Sequence, residues 1–182
     1  TFSSVSLAEA GIKNPQIDLG ITFRGKTNTE RSTGVVVSSQ ATRTIRLNSV
    51  LQFAAKVLYH GGPLVNRGPL PPEVGQETVY TVVWTVLNSS NDVGDAQVTA
   101  TLPPYMRWVG TQVPPSESLV FRESSGGGGE VTWNLGTVKA GSGFATAARE
   151  VAFQVAITPS LSQEGDAPIL VEDPTLTGTD LF

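Results

Sequence analysis

An all-β, immunoglobulin-like antiparallel β-sandwich with additional N-terminal strands is the fold this sequence predicts, on three observations. Apolar residues recur with a period of two in several short runs, the period of a strand with one buried face. Clusters of Gly, Pro and Asn separate the runs, and no convincing amphipathic helix interrupts them. Of 182 residues, 39% are hydrophobic and 15% charged, so the chain is too apolar for disorder, and Thr, Ser, Val and Gly stand where charge is usual.

From the N-terminus, the first alternating run puts Ile17, Leu19, Ile21 and Phe23 on one face, and the polar loop KTNTERSTG (26–34) follows it. A second run holds Leu51, Phe53, Ala55, Val57 and Tyr59. HGGPLVNRGPLPPEVG (60–75) is a connection, because Pro removes ladder donors and fixes extended or turn geometry. In ETVYTVVWTVLNSSNDVGDAQVTATLPP (77–104), Tyr80, Val82, Trp84 and Val86 share one face, against Val79, Thr81, Val83 and Thr85. After the polar turn, Ala96, Val98, Ala100 and Leu102 alternate with Gln97, Thr99 and Thr101, so both halves are expected as half-buried strands. EVTWNLG (130–136) and REVAFQVAITP (149–159) repeat the pattern, and SLVFR (118–122), APILV (167–171) and TLTGTDLF (175–182) are shorter candidates. ESSGGGGE (123–130) reads as a flexible hairpin tip, and GFATAARE (143–150) as a loop of helix-friendly composition.

Between residues 73 and 159 the order of features carries a resemblance. Gly75 and Tyr80 lead a strand, Asn88 marks a turn, Leu102 and Pro103 close the next strand, and Val131, Thr132, Trp133, Leu135 and Gly136 form a V-T-W-x-L-G phrase. This pattern resembles the conserved-repeat surface domain called domain of unknown function eleven, found in bacterial and archaeal wall proteins. The resemblance implies an immunoglobulin-like sandwich in an extracellular repeat protein, and it brings no catalytic residues. Trp84, the GSGFATAARE loop and the tail from Ser160 depart from the pattern. The expected division is residues 1–40 as closing strands of a preceding, truncated β domain or accessory strands, and 41–182 as the sandwich.

Composition excludes several function classes. The absence of cysteine removes disulfides, zinc ribbons and thiol nucleophiles. A net charge of -4 with scattered Lys and Arg argues against a nucleic-acid footprint. No apolar stretch approaches the roughly 20 residues of a membrane helix, so no membrane insertion by this segment is expected. The start without Met and the ending LTGTDLF suggest a piece of something longer.

Three candidate sites remain. Asn88, Asn91, Asp92 and Asp95 offer oxygen donors in one loop and form a candidate calcium site, although the spacing is not that of an EF-hand and an Asx-type turn explains the same residues. Tyr105 and Trp108 follow the Pro103-Pro104 break and form a candidate glycan platform, set against packing under a neighbouring loop. His60, the sole histidine, precedes two glycines, and no G-x-S-x-G elbow accompanies it. Asn88-Ser89-Ser90 is also a glycosylation sequon.

The expected function is a non-enzymatic structural or adhesive module of a secreted or cell-surface bacterial protein, acting as stalk or spacer, with no cofactor other than the candidate calcium. Its expected partners are neighbouring repeats of the same chain or identical subunits, with a surface glycan as a further candidate ligand. The alternatives are a filament subunit assembled by β-strand complementation, motivated by the N-terminal strands and the apolar C-terminus, and a carbohydrate-binding module.

Overall fold

A computed structural model describes residues 13–29 and 32–182. Residues 1–12, 30 and 31 of the expected N-terminal segment lie outside the described residues. The described residues build ten strands: β1 (Gln16–Thr29), β2 (Ser32–Arg46), β3 (Leu51–Leu58), β4 (Thr78–Asn88), β5 (Asp92–Leu102), β6 (Met106–Val113), β7 (Ser118–Glu123), β8 (Gly129–Val138), β9 (Arg149–Ile157) and β10 (Glu172–Leu181). Their ladders are antiparallel throughout. Two four-stranded sheets, β3-β4-β9-β6 and β10-β5-β8-β7, form an immunoglobulin-like sandwich, while β1 and β2 form a separate two-stranded sheet. The expected division at residue 40 falls inside β2, which continues to Arg46.

The alternation read from the sequence sets the core. Val82, Trp84 and Val86 of β4 and Val151, Phe153 and Val155 of β9 meet Val98, Ala100 and Leu102 of β5 and Val131 and Trp133 of β8 across the sheets. Trp84 is fully buried and takes Phe53 and Phe153 edge-on at centroid distances of 5.8 and 4.9 Å. That geometry aims the positive ring edge at the negative ring face.

β5 alternates as a half-buried strand should, but β4 is a correction. Val79, Thr81 and Val83, on its second face, are buried as well. The Gly/Pro-rich connection causes this by folding over the outside of the sheet. Thr81 Oγ1 donates to Asn66 Oδ1 at 2.8 Å, Gln154 Nε2 donates to Val65 O and Asn66 Oδ1 at 2.8 and 2.9 Å, and Asn66 Nδ2 donates to the carbonyls of Leu58 and Tyr59. Polar atoms under this cover are therefore paired, as burial requires.

Two further expectations change, and one strand appears that the sequence did not predict. Residues 167–171 form no ladder; they lay Leu170 and Val171 against the core, and the closing strand runs from Glu172 to Leu181 beside β5. Residues 106–113 are a strand, paired with β9. Within the glycine tip Gly127, Gly128 and Gly129 are tightly packed: all have positive φ, and a Cβ at Gly128 would overlap the carbonyls of Leu102 and Pro103.

Candidate functional site

The turn between β4 and β5 is densely hydrogen-bonded, and it lies at the base of the β1–β2 ribbon. Asn88, Ser89, Ser90 and Asn91 are all buried. Asn88 Nδ2 donates to the carbonyls of Asn91, Val138 and Lys139 at 2.6, 3.0 and 3.2 Å. Ser89 Oγ accepts from Val50 N at 2.7 Å, and Ser89 O accepts from Gly141 N. Asn91 N donates to Ser49 Oγ at 2.7 Å, and Asn91 Nδ2 donates to Leu47 O at 2.8 Å and Asp180 Oδ1 at 3.3 Å. Asn14 N donates to Ser90 O, and Leu47 N to Pro15 O. Five segments distant in sequence thus meet: the two feet of the ribbon, the β4–β5 turn, the 138–142 loop and the C-terminal strand.

The calcium residues are accordingly close in sequence but differently employed. Asp92 uses both oxygens, one toward Lys139 Nζ at 2.6 Å and one toward Ala140 N at 2.9 Å. Asp95 is exposed at φ 50°, the bulge conformation that Asp tolerates. Asn88 and Asn91 turn their amide nitrogens to carbonyls, and their Oδ1 atoms find no hydrogen-bond partner among the described residues. No group of three or more His, Cys, Asp and Glu able to hold a metal occurs among the described residues. The sequon asparagine is buried with its nitrogen engaged, so the folded protein offers it to no transferase.

Tyr105 and Trp108 do come together, lining a shallow recess of about 400 Å³ with Pro104, Arg107, Phe121 and Gly128 among its walls. Trp108, however, stacks along Phe121 at 5.3 Å and leans on Phe153 at 5.1 Å. Its ring belongs to the seam between the sheets, leaving little of the free face that sugar stacking requires. Tyr105 ties the 167–171 segment down, its hydroxyl donating to Ile169 O at 2.9 Å. His60 is exposed and meets Tyr59 edge-on.

Two features escape a sequence reading. Glu117 joins the sheets: its carboxylate accepts from Trp133 Nε1 at 2.8 Å and from Arg149 Nη2 at 2.7 and 2.8 Å. The second strand of the ribbon is the other. β2 faces β1 in a register that stacks Ile17 beside Ile45, Ile21 beside Ala41 and Gly25 beside Val37, so the alternation of β1 continues across a second strand. The signal for it was charge, since residues 13–46 hold six Lys or Arg against two Asp or Glu, whereas 47–182 hold six against thirteen. No family model matches this sequence, and no curated protein is detectably similar to it.

Two tests of the junction follow from its bonding. Asn88→Ala removes the donor from three carbonyls, and the folded state should lose about 2 kcal/mol in urea melts. Acid should also weaken the fold. The hydrogen bond from Lys139, then that from the Ala140 N–H, holds Asp92 below the ordinary carboxylate range, and the Arg107 hydrogen bond does the same for Glu77. A lowered folded-state pKa stabilises above the unfolded value and is lost as pH falls through the folded one. Tm should therefore fall on acidification below that range, and Asp92→Asn with Glu77→Gln should flatten the slope. Both pairs are about a third exposed on the acid side, so the effect is modest.

Proposed function

We propose that this chain is a non-enzymatic building block of a secreted or cell-surface assembly, a stalk or spacer module related to the surface-repeat domains its central motifs resemble. The observation that carries the reading is the ribbon clamped by its feet to one pole of a closed sandwich. Polar chemistry at that pole is spent on holding the ribbon, and the ribbon itself presents packing surface. A sandwich with both sheets filled by interlocking aromatic and Val side chains is a rigid block, suited to spacing other parts of a structure apart. Among the described residues no helix is long and apolar enough to cross a membrane.

Strand complementation, the filament alternative, needs an edge that accepts a foreign strand. The C-terminal strand pairs with β5 in its own sheet, and β3, β6, β7 and β10 are the outer strands of the two sheets. The proposal is tested by immunogold labelling of intact cells of the source organism with antibodies against the folded sandwich. Labelling outside the cell envelope supports it, and label confined to the cell interior of permeabilised samples defeats it.

A further inference from the structure

We infer that the β1–β2 ribbon is a docking arm that seats on the opposite, acidic pole of a second copy of this chain, so that copies join head to tail. The inference rests on the building-block reading above and names its partner. At roughly 3.4 Å per residue the arm reaches about 45 Å from its feet. One face carries Ile17, Leu19, Ile21, Phe23, Val37 and Ile45, which keep 45 to 70% of their surface exposed. The other carries polar residues such as Asp18, Thr22, Arg24, Gln40 and Thr44. A two-stranded ribbon is marginal in water and needs a third strand or a packed face. Six such side chains leave on the order of 600 Å² of apolar surface, the upper end of what monomers ordinarily expose. Matched by an equal area on a partner, this gives about 1,200 Å², the lower bound of a specific interface.

Charge selects the partner. The arm with its feet carries an excess of four positive charges and residues 47–182 an excess of seven negative ones. Two arms laid face to face would repel, whereas an arm on a neighbour's body is steered into place. A bilayer fits less well, because Arg43 sits on the apolar face opposite Leu19, where lipid would penalise it.

The body supplies a seat. β4 runs from the junction at Asn88 to Thr78 at the far pole, and there Pro71, Val74, Tyr80, Pro159 and Leu170 line a cleft of about 510 Å³ with Glu164 and Asp166 in its wall. Leu70, Leu161 and Ile169 are exposed in the same segments. The volume holds roughly two or three large side chains, which suits Phe23 and Ile21, with Arg43 on the same face of the ribbon to meet the acids. Arm and seat lie at opposite ends of one molecule, so the contact is heterologous and propagates as an open chain.

Sedimentation velocity on the 182-residue protein tests this. The mass should rise with concentration from 19.1 kDa past the dimer without a stopping point, and added salt should reverse the growth. Phe23→Asp, at an exposed position, and separately Glu164→Arg with Asp166→Arg, should each weaken association roughly tenfold or more while leaving the melting curve in place. Mixing the two variants should restore a single dimer, because one retains its seat and the other its arm. Strict monomers at all concentrations, a closed dimer indifferent to the seat substitutions, or uptake by anionic vesicles without self-association would each overturn the docking. None of these outcomes bears on surface labelling, so the building-block reading stands or falls separately.

Discussion

Glu117→Ala should cost about 3–5 kcal/mol of folding stability, read as a lowered urea midpoint with an unchanged slope. The carboxylate is only 11% exposed and holds Arg149 and the Trp133 indole at once. Its loss leaves a partly buried guanidinium without its counter-charge and an N–H without an acceptor, and unpaired groups of that kind are penalised more than the intact pair gains. Arg149→Met in the same background should recover part of the loss, because it removes the stranded charge. The coupling energy from the four-way cycle should exceed about 1 kcal/mol. A cycle that closes to zero would mean that Glu117 and Arg149 stand near one another without depending on one another.

Gly128→Ala should be as damaging, by a different route. Its backbone has φ 64°, and the added methyl would run into the carbonyls of Leu102 and Pro103. A left-handed non-glycine residue costs roughly 1–2 kcal/mol, and forcing apart packed backbone adds about 1–3, so a total near 3–4 kcal/mol is expected in thermal or denaturant melts. Gly126→Ala is the control, since nothing lies within 4 Å of a Cβ there and its φ is ordinary. A variant pair with equal melting points would refute the packed-turn account.

The strands that alternate cleanly were legible because each buries one face against the opposite sheet. β5 and β8 are of this kind, and their apolar positions are those of the core. β4 reads the same way but is buried on both sides, because its cover is a connection whose loop composition gives no hint that it lies flat on a sheet. β2 hides for another reason: Val35, Val36 and Val37 are consecutive, and SSQATRT carries no alternation of its own, so only pairing with β1 reveals its face. β6 follows two prolines and interrupts its own ladder between Trp108 and Gln112, which blurs its period.

The candidate sites divide along the same line. Asn88, Asn91 and Asp92 were visible as polar residues in a turn, and an Asx-type turn accounts for their local role. What consumes their hydrogen bonds comes from residues 47–50, 138–142 and 180, and nothing local to the turn announces those partners. Trp108 looked available because it follows a break in the chain; Phe121, on the other sheet, is what claims it.

The junction also sets a clock. Ser49 N donates to Asp180 Oδ2 at 2.9 Å across 131 residues of chain, and Asn91 Nδ2 reaches the same carboxylate across 89. Contacts so far apart in sequence form late, after the intervening loop entropy has been overcome. During synthesis the ribbon emerges before the sandwich, yet its feet gain their last tie, from Ser49 N to Asp180, only when the tenth strand has left the ribosome and joined its sheet. The apolar face is therefore born early and oriented last, and a truncated or stalled chain would carry it on a foot that is not yet fixed.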